Sequence, residues 1–202
     1  GVCDAIRAKG LFCSLYADRG SHYWHTPEAG GKVDKANPTQ FGRALNQLGI
    51  ELIPAYSPEA RGRSERMFGT LQNRLPQELR LKGITTMEAA NRFLAEEYLP
   101  KHNERFSVTP SGEGSAFVPF AGDLNDILCV KEERVVGKDN TVRYKNRCLQ
   151  IPADSHRNHY VKARVRVHEY SNGQLAVFHG PRKLALYDAN GKGIGNDKKQ
   201  AA

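Results

Sequence analysis

Two carboxylates in this chain sit in settings that suit metal-assisted chemistry. Asp18 closes an apolar run and opens a glycine-containing turn, Leu15-Tyr16-Ala17-Asp18-Arg19-Gly20-Ser21. Glu65 lies in an arginine-rich stretch of helical character, Arg61-Gly62-Arg63-Ser64-Glu65-Arg66. Cleaving or joining a phosphodiester needs an in-line attack by water or a hydroxyl and a stabilised leaving oxygen; two magnesium ions about 3.5–4 Å apart can serve both oxygens. Magnesium takes hard oxygen ligands, so carboxylates on rigid elements are the protein's share of such a site. Plainer roles fit the same residues: Asp18 as a turn-capping aspartate, Glu65 as a surface partner of Arg61 or Arg66. Residue types alone leave that choice open. His22 and His25 lack the further cysteine or acid partners of a zinc site and read as loop residues.

The elements that would hold these side chains can be read from pattern. Residues 1–10 read as the end of a helix stopped by Gly10, and residues 11–17 as a buried strand leading into Asp18. Residues 18–38 are rich in Gly, His, Pro and charge and read as a long loop. Thr39 or Gln40 opens a helix with Phe41, Leu45 and Leu48 on one face; Gly49 ends it, and residues 50–54 form a short strand. Ser57 as N-cap and Pro58 in the first helical position start the helix that carries Glu65. Pro76 should kink or end that helix, and a second piece stops at Gly83. Thr85 or Thr86 caps a further helix through Tyr98, and residues 103–122 read as loop. From Ile127 the spacing alternates, turn signals recur at residues 137–140, 145–146 and 171–173, and about five short strands fit before Asp188.

Charge is distributed unevenly. Residues 1–126 carry fifteen basic and fifteen acidic side chains, so the formal net charge of +8 resides in residues 127–202. An apparent pI near 9.4 favours a polyanionic partner, most simply DNA or RNA. Residues 162–168 read Lys-Ala-Arg-Val-Arg-Val-His. As a strand, they put Lys162, Arg164, Arg166 and His168 on one face and Ala163, Val165 and Val167 on the core face. Fixed cations on a rigid strand suit backbone phosphates, although a solvated strand face would look the same. Arg134, Arg143, Lys145, Arg147, Arg182 and Lys183 could extend the patch. The four cysteines form no close pair; Cys13 and Cys148 lie in apolar runs and read as buried small hydrophobes, which suits a reducing cytoplasm. No apolar stretch approaches a membrane span, and no signal peptide opens the chain.

Two segments carry a family resemblance. Tyr16-Ala17-Asp18-Arg19-Gly20-Ser21-His22-Tyr23 resembles the second-aspartate motif of the DDE transposases and retroviral-type integrases. The segment from Tyr56-Ser57-Pro58 through Glu65 to Gln72 resembles that family's glutamate helix, and bacterial insertion-sequence transposases are the nearest match. The resemblance covers about residues 5–105. It implies an RNase H-like core, two bound Mg2+ or Mn2+ ions, and DNA strand cleavage and transfer. Asp18 would be the second aspartate and Glu65 the glutamate, both catalytic and metal-binding, with Arg61, Arg63 and Arg66 beside DNA. Two departures stand out. The interval of 46 residues between Asp18 and Glu65 exceeds the family's usual one, with the excess at residues 25–38, and no acid before Asp18 fits the first aspartate, since Asp4 lies in the expected helix.

The expected architecture is therefore α/β then all-β: a partial RNase H-like integrase core followed by a small SH3-like β-barrel. Residues 1–105 would form the core with its first strands missing, 106–126 a linker, 127–189 the basic barrel and 190–202 a flexible tail. DNA is the expected partner, bound through Lys162, Arg164 and Arg166 among others, by a homo-oligomer in a bacterial cytoplasm, associated with the nucleoid. The chain reads as a truncated piece of a transposase. The alternative is a non-catalytic DNA-binding or regulatory module derived from one, and an RNA- or ribosome-binding basic barrel is a third reading.

Overall fold

A computed structural model of the protein describes residues 1–28, 31–109, 111–154 and 156–195. In chain order the elements are α1 (Val2–Lys9), β1 (Ser14–Ala17), α2 (Gln40–Gln47), β2 (Glu51–Pro54), a 3-10 turn (Pro58–Arg61), α3 (Gly62–Leu81), α4 (Met87–Phe93), a π-helical turn (Leu94–Tyr98), α5 (Leu99–Phe106) and α6 (Leu124–Ile127), then β3 (Val130–Val135), β4 (Thr141–Tyr144), β5 (Arg147–Gln150), β6 (Arg164–Glu169), β7 (Leu175–His179), β8 (Arg182–Tyr187) and β9 (Gly193–Ile194). They divide into two compact units. One holds residues 1–15, 19–52 and those from 117 onward; the other holds residues 16–18 and 53–116.

In the first unit, α1 buries Ile6 and stops at Gly10, whose φ of 101° only glycine adopts freely. A side chain there would also meet the Val118 carbonyl at 2.5 Å, because Leu11 and Val118 exchange both backbone hydrogen bonds. The long loop after Asp18 is tied at its base: the Asp34 N–H donates to the His25 carbonyl, while Trp24 and Val33 are buried. Thr39 caps α2 by accepting from the Gly42 N–H, and Ala44 and Leu45 point into the interior.

From Ile127 on, six strands among the described residues, rather than about five, precede Asp188. A five-stranded antiparallel sheet runs β3-β6-β7-β8-β9, with β4 and β5 paired separately as a hairpin. That hairpin turns on Lys145 and Asn146, both at positive φ, as a tight two-residue turn requires. The core of the unit is Tyr144, Leu149, Val165, Val167, Leu175, Val177 and Tyr187, so Val165 and Val167 face inward as their alternation predicts. Buried tyrosines find polar partners: the Tyr187 hydroxyl donates to the Gln150 carbonyl at 2.7 Å, and burial pushes its pKa up to about 12. The expected frayed tail contributes β9, and residues 196–202 lie outside the described residues.

The second unit is helical. Pro76 does not end its helix: α3 continues to Leu81 and stops before Gly83, at φ 64°. The proline forfeits one backbone bond to Gln72, and no side chain of α3 is buried, so the solvent-facing helix tolerates the loss. Thr86 caps α4 by accepting from the Ala89 N–H. The π turn immediately precedes Pro100 in the first turn of α5. Proline at that place cannot donate to the Glu96 carbonyl, and a widened turn relieves the clash between ring and carbonyl. α5 extends to Phe106, into residues expected as loop.

Two burial expectations fail for one reason. Among the described residues β1 pairs only with β2, and the strand predicted as buried is half-exposed, with Cys13 exposed beside it. Cys148 is exposed on β5, in a two-stranded hairpin; Cys129 is the buried cysteine. A strand with one neighbour and one packed face leaves its alternate side chains in water.

Candidate functional site

Asp18 directly follows Ala17, whose carbonyl accepts the Ala55 N–H at 2.8 Å, so the end of β1 is pinned beside the chain leaving β2. The 3-10 turn then delivers Arg61, whose Nη1 donates to Asp18 Oδ2 at 2.9 Å. Glu65 stands four residues on, in the first turn of α3. Its first-turn position also sets a carboxylate near the helix's positive end. Asp18 is therefore bonded directly to the residue that heads α3. Glu65 is exposed, as are Arg63 and Arg66. Arg66 Nε donates to the Gly62 carbonyl at 3.3 Å, and Arg63 and Arg66 line a cleft of about 590 Å³ with Met67, Thr70, His102 and Phe106. Pattern reading did not single out His102 or Phe106; their rings lie 4.7 Å apart across one turn of α5, a spacing of four that could have flagged them.

The fit of these residues to divalent ions is mixed. Asp18 and Glu65 supply hard oxygen donors, which suit Mg2+ or Mn2+. Among the described residues no group of three or more His, Cys, Asp or Glu gathers to hold a metal. Two carboxylates suffice for one magnesium ion that keeps several waters and binds phosphate oxygens; a two-ion site needs more. The Arg61 guanidinium also competes for Asp18, so an ion there must share or displace it.

The cationic strand forms largely as expected. Lys162, Arg164 and Arg166 are exposed; Lys162 sits just before β6, in a turn at φ 62°, and Arg166 Nη2 donates to the Gly180 carbonyl at 2.8 Å. No carboxylate of the described residues pairs with any of the three. The wider patch shrinks, because Arg134 pairs with Glu132, Lys145 and Arg147 with Glu169, Arg182 with Asp154 and Lys183 with Asp126. Arg143 stays exposed.

His168 departs from its expected place on the exposed face. It is 4% exposed, stacked on Phe178 with ring centroids 4.1 Å apart, and neither ring nitrogen has a hydrogen-bond partner among the described residues. Its strand face is right; neighbouring chain covers that end of it. Burial, followed by the charge of Lys131, depresses its pKa to about 4, and Asp126, 3.8 Å away, only partly offsets this. A histidine held neutral in the fold but free to protonate near pH 6.5 when unfolded binds more protons in the unfolded state. Stability of this unit should therefore fall as pH drops from about 6.5 toward about 4. Urea midpoints across that window should slope for the wild type and flatten for His168→Gln; equal slopes would remove His168 as the cause.

The chain is similar in sequence to two proteins that carry the name transposase. It is 35% identical over 177 residues, 85% of its length, to a protein of Sinorhizobium fredii named "Putative transposase y4bF". It is also 35% identical over 160 residues, 79% of its length, to the transposase for insertion sequence IS1202 of Streptococcus pneumoniae. The chain spans 38% and 34% of the lengths of these two relatives. No protein-family model matches it. No helix of the described residues is long and apolar enough to cross a membrane.

Proposed function

We propose that this protein acts in DNA transposition, gripping duplex DNA with its basic sheet and presenting Asp18 and Glu65 as part of a metal-dependent strand-cleaving and strand-joining centre. The relationship to two transposases over most of the chain carries this reading, and the Asp18–Arg61 bond, which ties the end of β1 to the helix of Glu65, supports it. On this reading the second unit and its paired strands belong to an RNase H-like core, and the basic sheet to an SH3-like module. A bound divalent ion would polarise a phosphate oxygen and lower the pKa of bound water. The chain's own part is to hold the ion by Asp18 and Glu65 and to neutralise neighbouring phosphates with Arg63 and Arg66.

The second reading is a DNA-binding or regulatory module without catalysis. One observation favours it: no third acidic, histidine or cysteine ligand joins the two carboxylates among the described residues. Both readings require DNA. Equilibrium binding to a short duplex across a salt series, with RNA duplex of the same length as competitor, tests that requirement. DNA should bind with little sequence preference and weaken steeply with salt. Preference for the RNA competitor would overturn both readings.

A further inference from the structure

We propose that Arg43, Lys131 and Arg166 form a seat for one backbone phosphate, built where α2 meets the edge strand β3. The inference rests on the DNA-binding reading and adds Arg43 and Lys131, which lie outside the Lys162–Arg166 strand segment, to one of its arginines.

β3 is an edge of the five-stranded sheet, and Gln40 covers its open backbone at Lys131: the amide side chain donates to the Lys131 carbonyl at 2.8 Å and accepts its N–H at 3.0 Å. One turn along α2, Arg43 donates to the carbonyls of Ile127 and Cys129 at 3.1 and 2.6 Å, which fixes the guanidinium against the chain entering β3. Lys131 Nζ and Arg43 Nη1 then converge on a single neutral oxygen, Gln47 Oε1, at 2.9 and 3.2 Å. Arg166, on the neighbouring strand, pairs in register with Glu133, two residues from Lys131 on the same face of the sheet; its charge adds to the burial that lowers the pKa of Arg43 and Lys131. None of the three pairs with a carboxylate of the described residues.

Bringing like charges together without an acid is unfavourable unless an anion completes the group. A phosphate offers several charged oxygens in place of one amide oxygen, and the Lys131 ammonium and Arg43 Nη1 that now share that oxygen can both donate to it. The buried His168 lies opposite Lys131 in register and reports the same positive field, with both ring nitrogens unpartnered among the described residues. The nearby acids are otherwise placed. Asp126 accepts from the Tyr170 hydroxyl and lies 3.6 Å from Lys183, while Glu133, opposite Arg166 in register, is exposed.

The test measures duplex binding by the whole chain as a function of salt. Lys131→Gln should reduce the log–log salt slope by about 0.9, one phosphate contact. Arg43→Lys keeps the charge and should keep the slope, and Glu133→Gln should tighten binding. NMR titration of His168 supplies a second readout. Its charged neighbours are Lys131 on β3, Arg43 on α2, Arg166 on β6 and Asp126 on α6, which in turn lies 3.6 Å from Lys183 on β8; the Tyr170 hydroxyl, which donates to Asp126, and the Cys129 thiol, coupled to Lys131, Arg43 and Asp126, also titrate in this neighbourhood. Saturating DNA should raise its pKa from about 4 toward the ordinary histidine value. Binding with an unchanged slope in Lys131→Gln and an unmoved His168 overturns the phosphate seat alone. Absence of any DNA binding overturns it together with the reading beneath it.

Discussion

Neutralising Lys162, Arg164 and Arg166 together should lower the log–log salt slope of duplex binding by about 2.7, from three phosphate contacts at about 0.9 each. Geometry sets the size of this effect. Arg164 and Arg166 alternate with Val165 and Val167, which are buried in the sheet's core, so the backbone that aims the arginines is held by packing. Lys162 leads into the strand from a turn whose N–H donates to the Val136 carbonyl at 3.0 Å. Rigid cations lose little freedom on meeting a phosphate, and these three have no carboxylate among the described residues to give up first. Because the effect is electrostatic, it should be largest at low salt and should not change sequence preference. Glutamine substitutions keep much of the length of the side chains and leave the valines untouched, so an intact far-UV spectrum and melting transition should accompany the loss. An unchanged slope would remove this strand from the interface.

Substituting either carboxylate should have a comparably large effect on divalent-ion binding. Glu65→Gln and Asp18→Asn should each weaken Mn2+ affinity by at least about tenfold, the lower end of what loss of a residue supporting a metal ligand costs. If both hold one ion, the double variant should be little worse than either single one, since the ion is lost once half its protein ligands are gone. Arg61→Gln should act in the opposite direction, modestly, because an exposed ion pair is worth at most about 1 kcal/mol and its removal frees Asp18 Oδ2 from the guanidinium. Calorimetric titration of the wild type and the four variants checks all of these. Additive losses at Asp18 and Glu65 would mean two separate, unrelated ion contacts.

Local chemistry was readable in the residues. Thr39 and Thr86 cap their helices through bonds to Gly42 and Ala89, and Gly10, Gly49 and Gly83 stand at positive φ where helices end. The alternation of Val165 and Val167 identified the inner face of β6 correctly. The failures are matters of what packs against what. His168 obeys the period-two rule for its face, yet that face is covered at its end, which no strand pattern reports. Cys13 and Cys148 lie in apolar runs, but their strands have one partner each, so apolar character did not mean burial. Pro76 was expected to kink or end its helix, and α3 runs on past it to Leu81 with no side chain buried. The candidate site was visible as Asp18 and Glu65. The Arg61 bond to Asp18 was not visible, because it joins residues 43 positions apart, whereas local spacing offered Arg61 only to Glu65. The seat at Arg43 and Lys131 was invisible, because it joins residues 88 positions apart through a glutamine that neither residue's local pattern marks.

Asp18 and Glu65 serving one divalent ion is the claim on which the proposed chemistry stands. Paramagnetic broadening by Mn2+ reads this directly from the amide spectrum of the protein. Trace Mn2+ should erase the signals around Ala17–Arg19 and around Ser64–Arg66 together, at the same concentration, and excess Mg2+ should restore both. Broadening at one segment without the other, or at neither, would contradict it.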